Sequence, residues 1–197
     1  MRIALLDYGA GNLHSLQKAI VRHGAAVEIT RDWGQALHAD ALVLPGVGSF
    51  QSAVRSLPAD VTPVRAALSA GFPCLGICLG MQLLFDASEE GAGHGLGLIP
   101  GTVRRLRAEI VPQMGWNDVR ADPDPLFPDP SPLVAYYANS YVCEPEDPRC
   151  VVAWSEYEGD RFAAAVRHAR TWGVQFHPEK SSRSGLALIE RFLEEAR

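Results

Sequence analysis

Lysine is nearly absent from this chain. Sixteen of its 18 basic residues are arginine, and only Lys18 and Lys180 are lysine. Coding bias in GC-rich DNA is the simplest account, since arginine enrichment is not the general signal of heat adaptation. Long apolar runs are also missing; none approaches the ~18 residues of a membrane span. There is no basic cluster either. The net charge is −5, and Arg104, Arg105 and Arg107 form only a short group, so nucleic-acid binding is not indicated. Cysteine is scarce. Cys74, Cys78, Cys143 and Cys150 include no C-x-x-C pair and no His/Cys cluster of zinc-finger spacing. A chain of 197 residues, 47% hydrophobic, can bury a core without disulfides or metal. All four cysteines therefore read as reduced thiols, and neither metal nor cofactor is expected. The apolar part of Met1–Asp7 is too short for a signal peptide and reads as a first strand. The cytosol is the default compartment.

What is present is strand–helix alternation. Ile3–Leu6, Ala26–Thr30, Ala41–Leu44 and Cys74–Ile77 read as short apolar strands. Between them Leu13, Leu16 and Ile20 recur at helical spacing, and helical stretches are predicted around Phe50–Ser56, Thr62–Ala70 and Leu79–Asp86. This pattern predicts a mostly parallel sheet with helices on both faces. Ligands on such sheets sit at the carboxyl ends of strands. From about Gly101 the texture changes. Val103–Leu106, Gly115–Val119, Leu133–Val142, Val151–Trp154, Phe162–Arg167 and Thr171–Phe176 read as added antiparallel strands, and Ser182–Glu195 as a last helix. Prolines 123, 125, 128, 130 and 132 mark one long exposed loop. Residues 1–197 are expected to form a single three-layer α/β domain.

The chemistry centres on Gly76-Ile77-Cys78-Leu79-Gly80. A G-x-C-x-G between a strand and a helix has the layout of a nucleophile elbow, with cysteine as the nucleophile. Small neighbours leave room for a strained turn, and the following helix would aim amides and its dipole at the sulfur. The same pentapeptide also fits a buried cysteine among packing glycines. A thiolate needs an acid–base partner, and Gln175-Phe176-His177-Pro178-Glu179 offers one. In an extended segment His177 and Glu179 project to one side, Pro178 stiffens the pair, and the carboxylate can orient the imidazole. Taken alone, the motif also reads as a surface H-P-E turn. Acyl transfer also needs an oxyanion site. The amide of Leu79 is one donor by elbow geometry. Leu44-Pro45-Gly46-Val47-Gly48-Ser49-Phe50 can supply another at Val47 or Gly48, unless it is an ordinary strand-end turn.

Taken together and in this order, Leu44–Phe50, Gly76–Gln82 and Gln175–Ser181 resemble the class I, triad-type glutamine amidotransferases over nearly the whole chain. The resemblance implies a flavodoxin-like fold. It implies that Cys78 attacks the glutamine side-chain amide, with His177 as acid/base and Glu179 as its orienting partner. Gly46 and Gln82 would hold the substrate. Ser140 and Tyr141, in a segment similar to the family's His-Ser-Tyr, would contact the substrate's amino-acid end. Asn139 stands where the family usually has His, and no catalytic role is assigned to it.

Further segments resemble the glutaminase subunits that serve imidazole glycerol-phosphate synthases in histidine biosynthesis. They are Asp7-Tyr8-Gly9-Ala10-Gly11-Asn12-Leu13, the P-G-V-G segment, Pro112–Asn117 and the ending H-P-E-K-S. That resemblance implies a separate (β/α)8 cyclase partner, with Asn12, Trp116 and Lys180 at the interface. Gly46-Val47-Gly48, a flexible segment able to hold the oxyanion amide turned away until a partner shifts it, predicts little glutaminase activity until the cyclase binds its ligand. A core tryptophan remains the alternative for Trp116. Other readings of the whole chain are the glutaminase of another amidotransferase, a cysteine hydrolase of the same fold, or a regulatory subunit with a dead site.

Overall fold

A computed structural model describes residues 1–9, 13–46, 48–128 and 133–197. In chain order the elements are β1 (Arg2–Leu6), α1 (Leu13–Arg22), β2 (Ala26–Thr30), α2 (Trp33–Ala36), β3 (Ala41–Leu44), α3 (Phe50–Val54), α4 (Thr62–Ser69), β4 (Cys74–Ile77) and α5 (Leu79–Gln82). There follow β5 (Ala87–Ser88), β6 (Gly101–Arg105), β7 (Gln113–Ala121), β8 (Leu133–Asn139), β9 (Tyr141–Pro145), β10 (Val151–Tyr157), β11 (Asp160–His168), β12 (Thr171–Val174) and α6 (Ser182–Glu195).

The central strands β3, β4 and β12 are buried at every residue. Their near-continuous apolar runs are what a sheet covered on both faces requires. One nine-stranded sheet runs β2-β1-β3-β4-β12-β11-β10-β7-β8. It is parallel from β2 to β12 and antiparallel from β12 onward. This bears out an α/β fold whose second half adds antiparallel strands. A three-stranded sheet, β5-β6-β9, packs beside it.

Helix α1 buries Leu16, Ala19 and Ile20, and α6 buries Leu188, Ile189, Phe192 and Leu193. These i, i+3, i+4 stripes join one core that also contains Ile3, Val43, Trp172 and Phe176. On the other face, residues of α2 to α5 form a second core with Leu42, Leu44 and Cys74. The carboxyl ends of β3, β4 and β12 therefore lie side by side.

Three expectations need correction. The helix after the elbow is a single turn, Leu79–Gln82. The Leu133–Val142 strand breaks at Ser140: β8 stays in the large sheet against β7, while β9 crosses to pair with β6. The start of the proline-rich loop is packed rather than exposed. Leu126 and Phe127 are buried, and Asp124 accepts hydrogen bonds from Trp172 Nε1 and Arg167 Nη1. Helix α2, capped by Asp32, and the two-residue β5 were not anticipated.

Candidate active site

The elbow's glycines answer to crowding. A Cβ on Gly76 would lie 2.6 Å from the carbonyl oxygen of Gly80, and one on Gly80 would strike the carbonyl of Leu44. A Cβ on Gly46 would come within 2.8 Å of Cys78 Cβ. The backbones of β3, β4 and α5 converge at the elbow, and only glycine lets them pass. Cys78 itself takes φ +48° and ψ −104°, a conformation that costs a residue with a Cβ. Both its backbone groups are held: its N–H donates to Val174 O (2.7 Å), and its carbonyl accepts from Gln82 N (3.1 Å). Since α5 is one turn long, its macrodipole adds less at the sulfur than a full helix would.

His177 follows β12, and β8 fixes its backbone. Its N–H donates to Tyr136 O (2.8 Å), its carbonyl accepts from Ser181 Oγ (2.6 Å), and Ser181 Oγ accepts from Tyr136 N (2.9 Å). The residue is extended, as a residue before proline should be. Pro178–Lys180 then form a 3-10 turn. That turn, rather than strand alternation, swings the Glu179 carboxylate back to His177, where Nδ1 and Oε1 are 2.9 Å apart. Nε2 is thereby left for another partner, and Cys78 lines the same cavity as His177. Burial pulls the imidazolium down, but hydrogen bonds and charge from Cys78 and Glu179 outweigh it and lift His177 to about 10. At neutral pH His177 holds its proton, ready to donate.

A cavity of about 300 Å³ opens over the sulfur. Gly46, Gly48, Leu79, Gln82, Ser140 and Tyr141 all line it. Val47 and Asn12 lie outside the described residues. Gln82 is more constrained than expected. Its Nε2 donates to Tyr141 O (3.2 Å) and Gln175 Oε1 (3.4 Å), so only Oε1 remains for a ligand. Asn139, also on the cavity wall, donates from Nδ2 to Tyr141 O (3.1 Å), and its Oδ1 is buried without a partner.

Two residues escaped the sequence reading. Glu90 lines the cavity and accepts from Phe50 N (2.7 Å), tying down the segment after β3. It sits in no recognisable motif. Gln175 donates from Nε2 to Cys78 Sγ at 3.4 Å. Its place two residues before His177, on the same extended run, was the available signal.

Trp116 is not a core residue. Its exposure is 55%, beside Met114 at 66% and Val134 at 47%. The β7–β8 register pairs Trp116 with Tyr136, Met114 with Ala138 and Asp118 with Val134. These apolar side chains thus share one face. Trp116 meets Tyr136 edge-on at 6.0 Å, and Lys180 Nζ lies 5.7 Å from the Tyr136 ring centroid. Because Ala138 and Lys180 also line the cavity, this face runs into its mouth. Among the described residues, no helix is long and apolar enough to cross a membrane.

The family model for glutamine amidotransferase class-I matches residues 4–196. Among curated proteins, the chain is 47% identical to the imidazole glycerol phosphate synthase subunit HisH of Moorella thermoacetica, over 96% of this chain and 93% of that one. It is 44% identical to the subunit of the same name from Microcystis aeruginosa, over 98% and 95%. Among solved structures, a putative GMP synthase component from Thermoplasma acidophilum aligns with a TM-score of 0.77 at 19% identity, over 100% of this chain and 94% of that one. PurLQS from Thermotoga maritima aligns with a TM-score of 0.77 at 18% identity, over 100% and 99%. At such identities these two structures carry the fold alone.

Proposed function

The chain belongs to the class-I glutamine amidotransferases, and from that premise we propose that it is the glutaminase subunit of an imidazole glycerol phosphate synthase. The observation that carries the reading is the line from Glu179 Oε1 through His177 Nδ1, at 2.9 Å, to the sulfur of a strained Cys78 at the floor of a small cavity.

The chemistry follows from that line. Cys78 Sγ attacks the side-chain carbonyl carbon of glutamine. The carbonyl oxygen takes up negative charge against the Leu79 amide and a second amide from the Gly46–Gly48 segment. The His177 imidazolium gives its proton to the departing nitrogen, and ammonia leaves a glutamyl thioester. Neutral His177 then takes a proton from water as the hydroxyl adds to the thioester, and collapse expels the sulfur and glutamate. Glu179 holds the imidazole in register and balances its charge through both halves. Gln82 Oε1, Ser140 and Tyr141 serve the substrate's binding.

The ammonia is used by a separate cyclase subunit with a (β/α)8 fold; the relatives' names, each one subunit of a synthase, support a separate partner. The exposed Met114–Trp116–Val134 face, continuous with the cavity mouth, is the docking surface, with Lys180 at its edge. A large aromatic in the middle of an apolar patch is a usual binding anchor.

A glutamine analogue carrying an electrophile at the amide position tests the assignment. Peptide mapping should find one label, on Cys78. In the reconstituted complex, Cys78→Ala should lose glutamine-driven synthesis and keep ammonia-driven synthesis. Labelling elsewhere, or loss of both activities, would show the division of labour to be wrong.

A further inference from the structure

Gln175 is a fully buried polar side chain that touches the reacting sulfur and has no task in the steps above. It follows β12 directly, and its backbone N–H donates to Ala164 O at 2.8 Å. It does not line the cavity, so glutamine does not reach it.

The orientation of its amide follows from its neighbours. The Tyr141 carbonyl oxygen can only accept. Gln82 must therefore present Nε2 to it, at 3.2 Å. The same Nε2 lies 3.4 Å from the Gln175 amide, and a donor there requires an oxygen opposite. Gln175 thus turns Oε1 to Gln82 and leaves Nε2 for Cys78 Sγ, at 3.4 Å. A flipped Gln175 would set nitrogen against nitrogen on one side and oxygen against sulfur on the other. A backbone carbonyl therefore fixes, through two glutamines, which atom the sulfur meets.

We infer that Gln175 is a further catalytic residue of this chain, a neutral N–H donor that holds the negative charge of Cys78 sulfur. The inference rests on reading Cys78 as the nucleophile. Its logic lies in what His177 does during turnover. His177 gives its proton to the departing ammonia, so its positive charge is absent when the thioester awaits water. The charge returns only when water gives up its proton, so the imidazole's hold on the sulfur changes from step to step. An amide never titrates in this range. Gln175 offers the same hydrogen bond to the attacking sulfur and to the leaving sulfur, whatever the state of the imidazole.

The test is the pH profile of Cys78 alkylation by iodoacetamide in the full-length chain, followed by peptide mapping. A hydrogen bond to a charged group is worth enough to move such a midpoint by about 1–2 pH units. Gln175→Met, which keeps the shape and loses the donor, should raise the midpoint by that amount. Gln175→Glu keeps an acceptor for Gln82 and sets a carboxyl against the sulfur, so it should raise the midpoint at least as far. It also covers the case in which the methionine variant does not fold. In the complex with the cyclase, either variant should lower kcat for glutamine by ~10- to 100-fold with KM nearly unchanged. An unmoved alkylation midpoint in the folded variants overturns the role of Gln175 and leaves Cys78 as nucleophile. A wild-type Cys78 that alkylates no faster than an ordinary thiol overturns both, and the wild-type curve alone reveals it.

Discussion

Exchanging Cys78 for alanine and for glycine measures the strain at the elbow. Both variants lose the sulfur, its contact with Gln175 and its pairing with His177, so those losses cancel between them. What differs is the Cβ. At φ +48° and ψ −104° the backbone costs a residue with a Cβ about 1–3 kcal/mol, most of which glycine escapes. Against this, glycine loses ~0.5–1 kcal/mol in chain entropy and ~0.8 kcal/mol from the missing buried carbon, since position 78 is only 7% exposed. The terms nearly balance. Cys78→Gly should match Cys78→Ala to within about 1 kcal/mol, and neither should cleave glutamine. At an unstrained buried strand position such as Ala165, alanine to glycine should instead cost about 1.5 kcal/mol. Urea unfolding midpoints at constant slope give the comparison. If glycine at position 78 falls below alanine by as much as it does at position 165, the elbow stores no strain and the argument fails.

The charge on His177 also contributes to folding. Its pKa stands at about 10 against an ordinary 6.5, so the stabilisation is complete below about pH 6.5 and is lost as pH rises through about 10. Unfolding free energy should fall over that window by up to ~1.4 kcal/mol per pH unit, and His177→Gln should lack the slope; parallel curves for the two proteins would refute this. Asp160 grips Arg104 with two bonds of 2.7 and 2.8 Å, both side chains being 7% exposed. Asp160→Asn should cost about 3 kcal/mol, because Arg104 keeps its buried charge and is left with only the half-exposed Glu144, 3.1 Å away, as counterion; a loss under 1 kcal/mol by urea melt (about the value of an exposed pair) would contradict this. Trp116→Ala should change stability by no more than about 1 kcal/mol yet weaken cyclase binding by about 2 kcal/mol or more. Calorimetric titration that finds unchanged affinity would move the docking face elsewhere.

Most of the parallel half was legible because β1, β3 and β4 are buried on both faces. Ile3–Leu6, Ala41–Leu44 and Cys74–Ile77 stand out as apolar runs, and the reading of each matches the strand to within a residue. Cys78, His177 and Glu179 were legible as candidates because chemistry restricts which residue types can serve in such a site, and the structure brings His177 and Glu179 to 2.9 Å with Cys78 on the same cavity. The break at Ser140 was not. Apart from Asn139 and Ser140, Leu133–Val142 is apolar or aromatic, and a competing partner, β6, decides where the chain changes sheets. Nor was the 3-10 turn at Pro178–Lys180, because a proline after His177 is consistent with strand and turn alike. Gln175 and Glu90 show the limit most clearly. What matters is the atom each presents, to Cys78 Sγ and to Phe50 N, and those partners lie 97 and 40 positions away in the chain.

Strand β12 has a consequence for the order in which the molecule is made. It sits between β4, its parallel neighbour, and β11, its antiparallel one. Synthesis delivers the N-terminal strands first, so β4 and the Cys78 turn leave the ribosome with one edge unpaired. That edge waits until Thr171–Val174 arrives and closes the sheet from within. The long wait makes this a slow step of folding, because closure of so long a loop must precede the contacts that reward it. The same step supplies Val174 O to the Cys78 amide, Gln175 to the sulfur and His177 to the pair. A partly synthesised chain therefore carries the cysteine but cannot cleave glutamine.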